Sequence, residues 1–357
     1  MRIERLRARN VRNFREVELQ PGTRLNVISG PNAAGKTAIL EAIHLLARAR
    51  SFRTPRIEEI VHRQASTLQV TARIQHGEDG QLDTGIERGD GRWLLRYAGV
   101  TVKSISAHAR KFPLVVVTPD SQQLILGGPK LRRHWLDWSL FHVEPGYLTL
   151  WRDYHRALRH RNHLLERAVP GGEIEAWEEQ MGHSGEALDS ARRGFIERLQ
   201  EGLTRLYQSL SVHEAPAIGL ERGWRAEGSL QDQLLRTRRA DLQTGHTSCG
   251  PHRADIVFSI HEAELAAWFS RGQCKEFIVL LMLAQASVIA GCTGEEPLFL
   301  VDDFAAEMDR LTQERLFELL ESWPGQTFLT CAQVAESWGS FPGTRRFHVE
   351  HGAVAKC

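Results

Sequence analysis

The chain of 357 residues lacks the sequence features of several large protein classes. Its five cysteines are scattered, with no C-x-x-C pair and no cysteine–histidine pair at zinc spacing, so we expect reduced thiols instead of disulfides or a zinc site. No run comes near the roughly 18 uncharged apolar residues of a membrane span, and no apolar segment follows the N-terminal arginines. We therefore expect no membrane span and no signal peptide, and a cytoplasmic location.

An excess of charge of one sign is also lacking, because 45 lysines and arginines stand against 44 aspartates and glutamates. The charge is nevertheless segregated along the chain, since residues 1–15 carry six arginines and one glutamate, whereas residues 295–321 carry nine acids and two arginines. Arg5, Arg7 and Arg9 share one side of a predicted strand, which is either a solvated edge strand or a phosphate-contacting surface. A near-neutral protein can therefore still present basic surface.

One glycine-rich stretch, GPNAAGKT, matches the G-x-x-x-x-G-K-[ST] loop that holds nucleotide phosphates. In such a loop the backbone N–H groups converge on an anion, Lys36 contacts the phosphates and the Thr37 hydroxyl binds Mg²⁺. An apolar strand at 24–28 precedes the loop, and apolar residues at helical spacing follow it to about residue 50. The predicted nucleotide-binding residues of the loop are Gly30, Pro31, Asn32, Ala33, Ala34, Gly35, Lys36 and Thr37.

A second apolar run, PLFLVDD at 297–303, ends in two carboxylates. A buried strand that delivers an acid to its carboxyl end places that acid where an open α/β sheet binds ligands. We predict that Asp302 binds Mg²⁺, directly or through water, and that Asp303 is the general base or orients the attacking water. The alternative is a strand that ends in a solvated Asp-Asp turn.

Ser270 to Lys275 read SRGQCK and precede a predicted helix over 276–290. A serine at this position caps a helix by default. The alternative is that the serine, Gly272 and the helix N-terminus together bind a phosphate.

The middle of the chain changes from strands to helices. Alternating residues broken by glycines predict an antiparallel meander over 67–102, and helical periodicity predicts packed helices over 131–168 and 172–212. Arg152, Arg156 and Arg159 share one face of a predicted helix, which either contacts DNA phosphates or is merely solvated.

The order of these segments resembles that of an ABC-type ATPase, and their details resemble the RecF family of DNA repair proteins, which is related to the heads of Rad50 and SMC proteins. The matching stretches are RNFREVEL, LNVISGPNAAGKTAILEAIHLLARARSFR, VVVTPDSQQLILGGPKLRRHWLD, CGPHRADI, FSRGQCKEF and PLFLVDDFAAEMDRL. The resemblance implies an α/β fold, an ABC-type P-loop ATPase head with a mixed sheet and an antiparallel lobe, and a second, mainly helical domain without a long coiled coil. We expect the head to comprise 1–125 and 246–357, with the helical domain at 126–245.

The resemblance also implies ATP and Mg²⁺ as cofactors and an ATP-dependent homodimer. In that dimer Ser270, Gly272 and Gln273 of one subunit close on ATP held by the other, and Lys36 and Asp303 are catalytic. Slow, DNA-stimulated hydrolysis would accompany binding to double-stranded DNA beside single-stranded gaps. The implied protein partners are RecR, with RecO, in the loading of RecA.

The chain departs from relatives of the wider superfamily at several positions. Ala33 replaces a glycine, which costs little if its φ stays negative. Ala306 replaces a serine in the acidic loop, residues 306–309 (AEMD), and Asp303 stands where transporter-type heads carry glutamate. For the glutamine loop of ABC-type heads, the candidate residue in this chain is Gln122 or Gln123.

Three other classes of protein share the phosphate loop. A phosphoryl-transferring kinase would not need the segment Ser270 to Lys275. The ATPase subunit of a membrane transporter would lack a helical block of this size. Another SMC- or Rad50-like ATPase head is the third alternative.

Overall fold

A computed structural model of the chain describes residues 1–167, 172–210, 214–225, 227–335, 338, 343–350 and 352–357. It divides into two units by internal contacts, one formed by Met1–Ser121 with Ser270–Cys357 and the other by Gln122–Phe269.

The elements of the first 121 residues are mainly strands. In chain order they are β1 (Arg2–Val11), β2 (Phe14–Leu19), β3 (Leu25–Ser29), α1 (Lys36–Arg48), β4 (Leu68–His76), β5 (Gly80–Gly89), β6 (Arg92–Tyr97), β7 (Val100–Thr101), α2 (Ile105–Arg110) and β8 (Leu114–Val117).

The second unit is mainly helical. Its elements are α3 (Gln123–Leu126), α4 (Pro129–Val143), α5 (Tyr147–Glu166), α6 (Gly172–Ser209), β9 (Ala217–Glu221), α7 (Leu230–Thr244), β10 (Asp255–Ile260), β11 (Ala263–Glu264) and α8 (Leu265–Trp268).

The chain then returns to the first unit. The remaining elements are α9 (Arg271–Thr293), β12 (Leu298–Val301), α10 (Arg310–Ser322), β13 (Thr327–Cys331), β14 (Arg345–Glu350) and β15 (Ala353–Lys356).

A largely parallel sheet with the order β15-β14-β3-β13-β12-β8 forms one layer of the first unit. Every neighbouring pair in it is parallel except β14 and β15. All residues of β12 and β13 are buried, as expected for strands covered on both faces. Because the parallel strands share a direction, the carboxyl ends of β3, β8, β12 and β13 meet at one edge of the sheet.

An antiparallel sheet with the order β2-β1-β4-β5-β6-β7 confirms the predicted meander. The edge-strand interpretation of β1 is wrong, because β1 pairs with both β2 and β4. Arg5 lies 2.8 Å from Glu18, and Arg9 lies 3.5 Å from Glu16, which also pairs with Arg7. Acids of the neighbouring strand therefore offset the basic side of β1.

Buried polar networks organise the second unit. The fully buried Arg161 on α5 bonds Glu178 on α6 at 3.0 Å and Asp241 on α7 at 2.9 Å. The sequence predicts that 246–269 belong to the ATPase head, but they lie in this unit because β10 pairs with β9 and β11.

Helix α9 is the one described helix with the length and apolarity to cross a membrane, with a mean hydropathy of 1.8 over its most apolar window. Residues 277–294 carry no charged side chain, so the sequence expectation that no run approaches this length is wrong. Within the protein 67% of that window is buried, which is typical of a core helix.

Candidate nucleotide-binding site

The phosphate loop connects β3 to α1 at the carboxyl edge of the parallel sheet. Its turns require glycine, because a Cβ on Gly30 would lie 2.1 Å from the carbonyl oxygen of Val349, and one on Gly35 would lie 2.7 Å from Asn13 Nδ2. Both glycines have positive φ, 148° and 119°. The condition under which Ala33 costs little, a negative φ, is not met, since its φ is 65°, a left-handed conformation that costs a non-glycine residue about 1–2 kcal/mol.

Lys36 is the first residue of α1, and its side chain folds back over the loop. The Lys36 Nζ donates to the carbonyl oxygens of Gly30 at 2.7 Å and Pro31 at 2.8 Å. Asn13, in the turn between β1 and β2, also contacts the phosphate loop. Its Nδ2 donates to the carbonyl oxygen of Ala34 at 2.9 Å. A positive charge and the N-terminus of a helix thus coincide, which is the arrangement that binds phosphate groups.

Asp302 follows the last residue of β12 and receives two hydroxyl groups. The Oγ1 atoms of Thr37 and Thr330 donate to its Oδ1 at 2.9 and 2.7 Å. Burial raises the pKa of Asp302, and the hydrogen bonds from Thr330 and Thr37 act in the opposite direction. The Thr37 hydroxyl and the Asp302 carboxylate are oxygen ligands of the type that Mg²⁺ prefers, so the residues present fit this cation.

The described residues contain no cluster of three or more histidine, cysteine, aspartate or glutamate side chains suited to a metal. A cation held by Thr37 and Asp302 therefore needs its remaining oxygen ligands from water or a bound anion, as Mg²⁺ sites on phosphates commonly do.

Asp303 lines the same cavity and has a left-handed backbone with φ of 52°. Its N–H donates to Thr330 Oγ1 at 2.8 Å, and its carbonyl oxygen accepts from Lys275 Nζ at 2.5 Å. Lys275 also donates to the carbonyl oxygen of Ala306 at 2.8 Å. Burial lowers the pKa of Lys275, partly offset by the charges of Asp303 and Glu307.

Sequence reasoning missed the role of Lys275. The only sign of this role in the sequence is that the lysine stands among apolar residues of the predicted helix. Its neighbours Cys274, Phe277 and Ile278 are all buried in α9. The position is therefore one where an apolar residue would be expected from helical periodicity.

A cavity of about 1100 Å³ contains Lys36, Thr37, Asp302, Asp303 and Thr330 in its lining. Four arginines also line it, namely Arg12, Arg15, Arg53 and Arg63.

The sequence also contained no indication that Arg12 pairs with Glu41. The fully buried Glu41 on α1 accepts from two nitrogens of Arg12, at 2.6 and 2.7 Å, and lies 3.9 Å from Arg53. This pairing attaches the β1–β2 turn and the loop after α1 to the helix that follows the phosphate loop.

The segment Ser270 to Lys275 starts α9. Ser270 and Gln273 form a capping box, since Ser270 N donates to Gln273 Oε1 at 2.9 Å and Gln273 N donates to Ser270 Oγ at 3.3 Å. A Cβ on Gly272 would lie 2.8 Å from the carbonyl oxygen of Glu307, so glycine permits close packing against the acidic loop. The structure thus confirms the capping role of Ser270, whose side chain is exposed.

The structure thus brings together the phosphate loop and the two carboxylates. Among the described residues, Ser270, Gly272 and Gln273 do not line that cavity. The predicted DNA-binding residues belong to the other unit and are exposed on α5: Arg152, Arg156 and Arg159. Gln122 and Gln123 also belong to that unit.

Comparisons with known proteins agree with this architecture. The model of the RecF/RecN/SMC N-terminal domain matches residues 2–336. The DNA replication and repair protein RecF of Xanthomonas axonopodis pv. citri is 38% identical over 367 aligned positions that cover 100% of this chain and 99% of the relative.

Solved structures are similar in fold. The recombination mediator protein RecF with ATP, of the RecFOR pathway, has a TM-score of 0.85 at 24% identity, covering 99% of this chain and 97% of its own. An Smc head bound to a domain of ScpA has a TM-score of 0.56 at 14% identity, covering 100% and 97%. The fold is thus that of an ABC-type ATPase head as found in RecF and SMC proteins, and the chain belongs to the RecF family of DNA replication and repair proteins.

Proposed function

We propose that this protein is an ATP-dependent DNA-binding ATPase of recombinational gap repair, which dimerises on ATP and releases DNA after hydrolysis. The observation that carries the proposal is the convergence of Thr37 and Thr330 on Asp302, beside a phosphate loop with a buried lysine. A phosphate site and a carboxylate–hydroxyl pair at one edge of a sheet are the two parts that a nucleoside triphosphatase needs.

In this mechanism Lys36 exchanges its contacts with the loop carbonyls for contacts with the β- and γ-phosphates. Thr37 and Asp302 would hold Mg²⁺, a cation that would supply positive charge to neutralise the phosphates. Asp303 orients the attacking water or accepts its proton. The reach of an aspartate is shorter than that of a glutamate, which is compatible with slow turnover.

The position of the segment Ser270 to Gln273, the candidate signature segment, supports a shared site in a dimer. In the part of the chain that the structure describes, Ser270, Gly272 and Gln273 do not line the cavity, and we propose that they contact ATP held by a second copy. ATP then makes contacts that exist only in the dimer and shifts the population toward it. Hydrolysis removes the γ-phosphate and those contacts.

The proposed ligand outside the nucleotide site is double-stranded DNA next to a single-stranded gap. Arg152, Arg156 and Arg159 are proposed phosphate contacts, and Arg156 is only weakly engaged by Asp153 at 3.6 Å. The proposed pathway partners are RecR, with RecO, in loading RecA, and the proposed location is the cytoplasm.

A Lys36→Ala variant tests the shared site. We expect sedimentation velocity to show an ATP·Mg²⁺-dependent dimer for the wild type and for the control Lys356→Ala, which changes an exposed lysine near the C-terminus. The Lys36→Ala variant should stay monomeric, because the phosphates lose their central cation. A Lys36→Ala dimer indistinguishable from wild type would contradict the model.

An Asp303→Asn variant tests hydrolysis. We expect it to bind ATP and DNA but to remain on DNA, because the step that ends the dimer is slowed. Single-turnover ATP hydrolysis and DNA dissociation measured on the same sample would check this. Normal turnover in the variant would remove Asp303 from its proposed role.

A further inference from the structure

The stretch CGPHRADI, at 249–256, lies in the second unit and takes no part in the nucleotide site. Its backbone is tightly held. Gly250 has a φ of 127°, and a Cβ there would lie 2.4 Å from Tyr154 Oη. The carbonyl oxygen of Pro251 accepts from Arg192 at 2.8 Å. A segment fixed in this way can present a side chain in one position.

His252 is one of the anchors. Its Nε2 lies 3.2 Å from the carbonyl oxygen of Thr247, and its Nδ1 lies 2.7 Å from Tyr154 Oη. Since a carbonyl only accepts, Nε2 carries the proton and Nδ1 accepts from the tyrosine hydroxyl. Burial lowers the pKa of His252 to about 4, so the imidazole is neutral and both nitrogens are occupied.

Two arginines meet at this segment without a carboxylate partner. Arg253 is exposed and donates to the carbonyl oxygen of Thr247 at 3.2 Å, and the half-buried Arg133 on α4 donates to that of Ala254 at 2.6 Å. Neither forms an ion pair within 4.0 Å in the part of the chain that the structure describes. Each therefore keeps several guanidinium N–H donors for another acceptor.

The two carboxylates whose charge acts on Arg133 are bound to other arginines. Asp255 accepts from Arg132 through both oxygens, each at 2.7 Å, and Asp137 accepts from Arg192 at 2.8 Å. Burial, and then the positive charge of Arg192, lowers the pKa of Arg133, while Asp255 and Asp137 act in the opposite direction. The positive charge at Arg133 and Arg253 is thus left for a ligand to balance.

The segment also contacts α5, the helix that carries the exposed arginine stripe, because Tyr154 Oη donates to His252 Nδ1 at 2.7 Å. Tyr154 is fully buried, whereas Arg152 and Arg156, two positions to either side of it, are exposed. Side chains two positions apart do not share a face of a helix, so the arginine pair is a site distinct from the stripe.

We propose that Arg133 and Arg253 form a phosphate-binding site for the DNA backbone, held in place by the anchored segment 249–256. This inference rests on the proposed DNA-binding function and names the surface that carries it. The planar guanidinium matches phosphate oxygens in a two-point contact, and such contacts give affinity that is independent of base sequence.

The test uses the full chain with ATP·Mg²⁺ and a gapped duplex, with affinity measured by fluorescence anisotropy between 50 and 200 mM salt. We compare four variants with the wild type. They are the double variant Arg133→Gln/Arg253→Gln, the single variant Arg253→Gln, the charge-preserving Arg253→Lys and the control Arg205→Gln. Arg205 is exposed on α6, in the same unit. The single variant keeps the test valid if the double variant does not fold.

Loss of two phosphate contacts lowers the slope of log affinity against log salt by about 1.8. The affinity ratio of wild type to double variant should then shrink roughly 12-fold over this fourfold salt range. Arg253→Gln should lower the slope by about 0.9, whereas Arg253→Lys and Arg205→Gln should keep the wild-type slope.

The two levels of failure are distinguishable. Wild-type protein that does not bind the duplex with ATP would overturn the proposed function itself. Wild-type binding together with a wild-type salt slope in Arg253→Gln and the double variant would overturn this site alone. An equal slope loss in Arg205→Gln would also overturn it, since the effect would then belong to net charge and not to the anchored pair.

Discussion

Replacing Lys275 by methionine tests whether α9 positions Asp303. The ammonium of Lys275 is buried, with 4% of the residue exposed, and donates to the carbonyl oxygens of Asp303 and Ala306. Methionine has a similar length and fills the space without donating. The variant therefore removes two hydrogen bonds while leaving the packing nearly intact.

The size of the effect follows from these contacts. Hydrogen bonds to a charged group contribute about 1.5–3 kcal/mol each, but the variant also avoids the cost of burying the ammonium. We expect a net loss of about 2 kcal/mol in the free energy of unfolding. Asp303 has a φ of 52°, so the backbone that holds it can relax once its carbonyl is released.

The assay separates positioning from binding. Among the described residues, Lys275 does not line the cavity, so the KM for ATP should stay near the wild-type value. Displacement of Asp303 by about 1 Å should lower kcat on the order of 100-fold. Cys292→Ser, at the exposed end of the same helix, is the control and should change neither constant. A Lys275→Met variant with wild-type kcat would refute the positioning role, whatever its stability.

Two further predictions concern stability. Burial raises the pKa of Asp302 in the folded protein above the ordinary value of 3.8. The contribution of this carboxyl group to the free energy of unfolding is therefore complete below the unfolded pKa, and it is lost as the pH rises through the folded pKa. Asp302→Asn should therefore unfold at higher urea than wild type at pH 7, by about 1.4 kcal/mol per pKa unit, and lose that advantage below pH 3.8. Arg161→Met should lose about 3–5 kcal/mol in urea unfolding, because it leaves Glu178 and Asp241 buried with less compensation. A loss below about 1 kcal/mol would show that the network relaxes without its arginine.

Much of the first unit was predictable because its signals are local. GPNAAGKT needs only its own glycines and the flanking periodicity to predict strand, loop and helix, and PLFLVDD carries the burial pattern of a central strand. Long-range pairing has no such local signal. Nothing in residues 2–10 says that β1 lies between β2 and β4, and nothing near 255–260 says that β10 pairs with β9.

Backbone conformation was equally hidden from the sequence. An alanine at position 33 is compatible with either sign of φ, and only the closed turn, with Gly30 packed against Val349, sets it at 65°. The roles of Lys275 and Glu41 were hidden for a related reason. A buried charge is recognised by its partners, and these come from segments distant in the chain.

The sequence by itself determined that the protein has a phosphate loop, a strand ending in two acids and a candidate signature segment, because each is a contiguous pattern with its own chemistry. Only the tertiary structure decided that Thr37, Asp302 and Thr330 share hydrogen bonds across the parallel strands, and that Ser270 lies outside the cavity of its own chain. Distances between atoms far apart in sequence depend on strand order and packing. A linear pattern of residues specifies neither.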